Sequence, residues 1–306
     1  MTLFNSMIRL QMQLFLLMLC GYAVRKLKVI TAEQQKGLSS LLINVILPAN
    51  IIASFTGGIE MSSELLHNAV TAVIISAAVQ TASYVLGPLL FGRFDRARSV
   101  VMRYGMIVSN SSFIGIPVVE TIYGSIGTMY TSVYQIPIRL TMWTLGLALY
   151  AGESGSLKQK IIKMLTHPCI VAVGIGFVIL VTGIKLPSAV TGTLSSLGRC
   201  VSALSMLIIG GILSEIHAGK LADKAILYFT LIRLVIFPGI VLAILKFMPV
   251  DPMILAISVI MTAMPAGSTT AILAQQYGYD AEYAAKVILV STLASVITIP
   301  VLCLFL

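Results

Sequence analysis

Residues 109–117 read SNSSFIGIP and stand inside an otherwise apolar run. Ser109, Asn110, Ser111 and Ser112 are consecutive polar residues, and Gly115 and Pro117 follow them. Proline removes a backbone donor and clashes with the preceding helical turn, and glycine loosens the chain further. The spacing therefore predicts a helix that breaks in mid-run and leaves main-chain groups free. A second interruption, PAGSTT at 265–270, occupies the corresponding place in the second half of the chain. The first interrupted run closes with Tyr123-Gly124 and has Tyr130 six residues on; the second closes with Tyr277-Gly278 and has Tyr283 five residues on. One proline kink is accounted for by packing alone. Two, with matching endings, point to a duplicated architecture.

Around these interruptions the sequence is 58% hydrophobic and only 10% charged, where a soluble domain carries about a quarter charged residues. Its apolar runs are about 18 to 25 residues long, enough for helices to cross a bilayer. The alternation of a β-barrel is absent, and a lipid-exposed helix satisfies its own backbone. An all-α integral membrane protein follows, with ten transmembrane helices expected near 4–24, 37–56, 65–91, 99–123, 126–150, 166–184, 188–214, 223–246, 252–276 and 281–305. The first run lacks a basic leader and a small-residue cleavage site, so it reads as a retained helix.

The net charge of +9 does not mark a nucleic-acid-binding surface, because the bases cluster at helix ends. Arg25, Lys26, Lys28 and Lys36 follow the first helix; Arg93, Arg96, Arg98 and Arg103 follow the third. Lys158, Lys160 and Lys163 follow the fifth, and Lys220 and Lys224 the seventh. The alternate loops hold Lys185 and Lys246, and the loop with Glu60 and Glu64 has no base. Positive charge marks the cytoplasmic side, which places both termini outside a cell (inner) membrane. Five helices in residues 1–150, a cytoplasmic linker at 151–165 and five more in 166–306 make two halves of opposite orientation: two inverted five-helix repeats.

Cys20, Cys169, Cys200 and Cys303 are scattered in apolar runs without a CxxC pair, so neither a metal nor a redox centre is expected. His67, His167 and His217 fall at helix ends. There is no HExxH, GxSxG or Walker motif, and neither an enzyme nor a cofactor is expected.

Inverted, interrupted helices are the sequence pointer to a carrier's binding site. Half-helix N-termini present N–H groups and positive dipole to anions. The expected substrate-binding residues are Asn110, Ser111, Gly115 and Pro117 at the first break, and Pro265, Gly267, Ser268 and Thr269 at the second. Deep ionisable residues are costly and face interiors or cavities. Arg139, central in the fifth helix, suits bidentate recognition of a carboxylate, and Gln135 lies one turn away on the same face. An ion pair with Glu120 is the structural alternative for Arg139. Glu120 reads as either a coupling acid or a counter-ion, Arg233 chiefly as an interhelical structural residue, and Arg199 as structural. Asn44, Pro48 and Asn50 suggest a bent second helix facing a polar path, and Asn50 joins the binding set.

Asn110, Gly115, Ile116, Pro117, Tyr123 and Gly124, with Pro265, Gly267, Ala274, Tyr277, Gly278 and Pro300, form an ordered pattern along the whole chain. It resembles the auxin efflux carrier family, in the short bacterial form without a long cytoplasmic loop. The resemblance implies a scaffold of helices one, two, six and seven that also forms a homodimer contact. It implies a moving transport domain of helices three to five and eight to ten, in which the broken fourth and ninth helices cross, as in bile-acid symporters. Elevator-like movement would give alternating access, and Asn110 with the backbone near Pro117 and Pro265 would bind substrate. Plant members carry Gln four residues before a Trp in helix five; here the Trp is Trp143 and the position is Arg139. That departure favours a small or more highly charged carboxylate, such as malate or malonate, over an aromatic acid like auxin. Proton and sodium coupling are equally open. A coupled carrier of a neutral or sterol-like substrate is the alternative, and a channel ranks lower.

Overall fold

The computed structural model describes residues 2–56, 62–151, 162, 165–214, 223–267 and 269–306. Glu60, Lys158, Lys160, Lys163, His217, Lys220 and most of the 151–165 linker lie outside the described residues, as do Ser268 and the side chain of Trp143. The described elements are helices: α1 Thr2–Lys26, α2 Ala32–Thr56, α3 Ser63–Phe91, α4 Arg96–Ile107, α5 Ile116–Thr141 and α6 Leu147–Ala151. There follow α7 Pro168–Thr182, α8 Ser188–Ser214, α9 Lys224–Lys246, α10 Pro252–Thr262, α11 Thr269–Gln276 and α12 Ala281–Cys303. Among the described residues there is no strand, only an isolated antiparallel bridge between Ser109 and Ala266. Five helices, α2, α3, α8, α9 and α12, are long and apolar enough to cross a membrane.

The sparse charges define helix starts. Asp95, Asp223, Asp251 and Asp280 are the chain's four aspartates, and each accepts a main-chain N–H in the first turn of the helix it precedes. Such caps satisfy donors that a helix start leaves open. Helix α2 begins at Ala32, five residues before the expected start. Thr31 and Gln34 form a reciprocal capping box there, with bonds of 3.2 and 2.9 Å. Wide π-turns interrupt α2 at Leu42–Ile46 and α9 at Ile232–Ile236. Another joins α5 to α6 at Met142–Gly146, and a fourth precedes α5 at Ser111–Gly115.

The fourth and ninth expected helices are the ones that break. The first break falls at 108–110, upstream of Gly115 and Pro117. Pro117 follows the wide turn Ser111–Gly115 by two residues within one continuous helical run, as Pro48 follows Leu42–Ile46 and Pro238 follows Ile232–Ile236. Inside α5, Gly124 at φ 61° makes the turn between the expected fourth and fifth helices, a conformation that glycine adopts without strain.

The chain divides into two compact units. Unit one comprises Met1–Val70, Ser112–Val133 and Leu165–Glu215. Within it α1 lies along α8 so closely that a Cβ on Gly21 would overlap the main chain of Leu207, and one on Gly210 that of Met18. Small residues permit this backbone approach, as is common between membrane helices. The C-terminal half of α2 packs on α7 and α8, with Phe55 over Gly176. Unit two comprises Thr71–Ser111, Tyr134–Met164 and Ile216–Leu306. Its core contains Phe91 against Phe229 and Tyr228. Arg98 ties Asp95 and Asp223 at 3.3 and 3.0 Å and lies over the Tyr283 ring.

Candidate functional site

Both interruptions come together inside unit two. Beyond α4 the chain turns extended at Val108; beyond α10 it runs non-helically to Gly267. The two segments pair antiparallel. The Asn110 amide donates to the Pro265 carbonyl at 2.7 Å, and the Gly267 amide donates to the Val108 carbonyl at 2.9 Å. The Ala266 amide between them donates to Ser291 Oγ on α12 at 3.3 Å. Each break thus satisfies main-chain groups of the other, which is the condition for unwound backbone in an apolar interior. Gly267 is needed for the approach: a Cβ there would stand 3.2 Å from the Val108 carbonyl oxygen and 3.4 Å from that of Ser109.

Arg233 closes the junction from α9. Its Nε donates to the Met264 carbonyl at 3.1 Å and its Nη1 to the Met106 carbonyl at 3.2 Å. These carbonyls lie at the ends of α4 and α10, where a helix leaves acceptors unpaired and carries partial negative charge. Arg233 is 3% exposed. It bonds to main-chain carbonyls of both interrupted segments.

Several side chains at the junction retain hydrogen-bonding capacity. The side-chain amide of Asn110 is buried and makes no hydrogen bond among the described residues, and neither does the hydroxyl of buried Ser111. Thr270 Oγ1 is fully buried and has no hydrogen-bond partner among the described residues. Buried polar groups in folded proteins are nearly always paired with protein or water, so these groups beside the two breaks can serve a polar ligand. Thr269 opens α11, and its Oγ1 accepts from the Tyr104 hydroxyl at 3.1 Å. The Tyr150 hydroxyl donates to the Thr270 carbonyl at 3.2 Å, and the Tyr104 and Tyr150 rings lie 5.1 Å apart.

Arg139 and Gln135 project from the second half of α5, joined by an Nη2-to-Oε1 bond of 3.5 Å. The surrounding helix is pinned: Ser76 donates to the Tyr134 carbonyl at 2.7 Å, the Tyr134 hydroxyl meets Thr262 Oγ1 at 3.4 Å, and Thr141 donates to Gln80 Oε1 at 3.0 Å. Asn110, Ser111, Gln135, Arg139, Pro265, Gly267, Thr269 and Arg233 therefore share unit two.

Asn50, Gly115, Pro117 and Glu120 belong to unit one. There Asn50 Nδ2 donates to Glu120 Oε2 at 3.3 Å, so Glu120 is held by a neutral amide. Tyr104, Tyr150, Ser291 and Gln80 were not singled out from sequence. Each is an isolated polar residue without a motif, whose role depends on a remote partner. Thr270 was visible in PAGSTT.

Residues 6–303 match the family of membrane transport proteins. An uncharacterized transporter of Methanothermobacter thermautotrophicus is 26% identical over 297 residues, covering 94% of this chain and 95% of the relative. The uncharacterized transporter YfdV of Escherichia coli K12 is 22% identical over 298 residues, covering 94% and 93%.

Proposed function

We propose, from the premise that this chain belongs to the auxin efflux carrier family of membrane transport proteins, that it is a secondary carrier of small organic anions. That it is a multi-pass membrane transporter follows from the family and the apolar helices; the substrate class is our reading. One observation carries it: at the paired breaks buried Asn110 and Ser111 stand with Thr270, whose Oγ1 is fully buried and without a partner among the described residues. A carboxylate accepts from such donors, the α11 N-terminus adds positive dipole, and Arg139 adds a fixed charge able to bind two oxygens. Mono- or dicarboxylates of the malate or malonate type suit this set.

The full reading has ten transmembrane helices in two inverted five-helix repeats, residues 1–150 and 166–306. The interrupted helices cross in a transport domain of helices three to five and eight to ten. That domain moves elevator-fashion against a scaffold of helices one, two, six and seven, which also forms a homodimer contact. The protein sits in the cell (inner) membrane with both termini outside. A negative interior then favours outward anion movement by about 2.3 kcal/mol per charge per 100 mV.

Uptake of radiolabelled malate and malonate into proteoliposomes tests the reading. The expected result is saturable uptake that Arg139→Ala abolishes. Carboxylate uptake unchanged by Arg139→Ala overturns the anion assignment, sodium-dependent uptake of a neutral or sterol-like compound replaces it, and unitary currents in planar bilayers replace the carrier with a channel.

A further inference from the structure

We infer that unit one holds a site for a monovalent metal cation at Glu120, in a cleft of about 460 Å³. The cleft lies between the C-terminal half of α2, the α5 segment around Gly124 and the N-terminal half of α8. Its size falls in the range of small-ligand sites and lets an ion keep part of its water shell. The role of the ion as a coupling ion rests on the transporter reading; its binding chemistry does not.

Glu120 is half-buried, and among the described residues its carboxylate has no cationic partner. Asn50 Nδ2 occupies one carboxylate oxygen at 3.3 Å. The other end of that amide, Oδ1, lies over Gly198, 2.6 Å from where a Cβ would stand. A hydroxyl has a single proton to give, and four hydroxyls of the lining have already given theirs to their own helices. Ser54 donates to the Ile51 carbonyl at 2.6 Å and Thr56 to that of Ala53 at 3.0 Å. Thr128 donates to the Gly124 carbonyl at 3.3 Å and Thr191 to that of Ser188 at 3.1 Å. What remains on those oxygens is lone pairs.

The lining thus offers acceptors, one carboxylate and several neutral oxygens, beside the hydroxyls of Ser125 and Ser195. A ligand that meets Glu120 there is matched by positive charge. Oxygen donors suit hard cations, and a single carboxylate suits a monovalent one. Divalent cations take several carboxylates, and no group of three Asp, Glu, His or Cys is present among the described residues. Arg199 is the other charged residue on the lining; it is exposed and donates to Ser196 Oγ at 3.3 Å. Its charge opposes a cation at Glu120, which gives the site two variants of opposite sign.

Thermal unfolding of the purified protein without carboxylate, titrated with sodium chloride against choline chloride at constant ionic strength, tests the site. The expected result is a saturable rise in Tm with sodium only, since a ligand that binds the folded state stabilises it by mass action. Glu120→Gln loses the rise, and Arg199→Gln reaches half-saturation at severalfold lower sodium. No rise in the wild type, or a rise retained by Glu120→Gln, overturns the site. A Tm that follows pH but not sodium, and does so through Glu120, overturns the metal and puts a proton in its place. Carboxylate uptake, measured separately, distinguishes the two readings. Uptake without a sodium effect on Tm defeats the ion site alone, and a sodium effect without carboxylate uptake defeats the substrate reading alone.

Discussion

The main-chain amide of Asn110 donates to the carbonyl of Pro265 at 2.7 Å, and with the return bond from Gly267 to Val108 it makes each break the hydrogen-bonding partner of the other. The two unwound segments are one structural object. A change that separates them leaves buried amides and carbonyls unpaired on both sides.

Gly267→Ala tests this coupling. The added methyl would stand 3.2 Å from the Val108 carbonyl oxygen, and Val108 is itself a partner in the pairing. Main chain on both sides has little room to yield, so we expect a loss of about 1–3 kcal/mol from overpacking. Gly239→Ala, where an added methyl meets nothing within 4 Å among the described residues, should cost less. Thermal unfolding in detergent compares the two.

Arg233→Met removes a buried cation together with two hydrogen bonds, to Met106 and Met264. Two buried carbonyls are then left short of a donor, and each unsatisfied group costs about 1–3 kcal/mol. Arg233→Lys restores charge but cannot reach both carbonyls with a rigid fork. Unfolding midpoints should fall in the order wild type, Lys variant, Met variant.

Asn110→Leu separates binding from stability. Asn110 is a buried residue, and its side-chain amide makes no hydrogen bond among the described residues. Replacing an unpaired polar group by an apolar one of similar size relieves a desolvation cost. The Tm of the ligand-free protein should hold or rise, while the stabilisation given by carboxylate disappears. A substantial fall in ligand-free Tm would show that the amide serves folding instead.

Helix positions were legible in the sequence where hydrophobic runs end at a capping residue. Helix α9 was expected at 223–246 and spans Lys224–Lys246 after the Asp223 cap. Helix α2 was read five residues short because the Ala32–Gly37 segment is polar, though Thr31 and Gln34 carried the capping signature. The stretch Ser109–Pro117 announced the first break, which falls at its start at 108–110, while Gly115 and Pro117 lie in the helical run that follows. The role of Arg233 was legible only in outline. Its two acceptors lie 31 and 127 residues away and are main-chain carbonyls, which no residue type advertises. Tyr104 and Tyr150 were invisible because their partners, the Thr269 hydroxyl and the Thr270 carbonyl, lie 165 and 120 residues away.

Tyr104 and Tyr150 provide the closest matched test of the second break. The Tyr104 hydroxyl donates to the Thr269 side chain, whereas the Tyr150 hydroxyl donates to the Thr270 carbonyl. Their rings are in contact, so either phenylalanine variant keeps the same packing. Each loses one hydrogen bond, worth about 1 kcal/mol, and the two should be similarly destabilised. Their transport should differ. Tyr104→Phe frees the Thr269 hydroxyl to turn at the start of α11, where an anion would meet the helix N-terminus, and removes the contact that orders it. Half-saturating carboxylate should rise severalfold with little change in maximal rate. Tyr150→Phe removes a donor from a carbonyl and leaves the Thr269 hydroxyl held, so half-saturation should stay near wild type. Equal effects of the two variants would mean that the tyrosines support the fold near the break and do not position its anion-facing side chain.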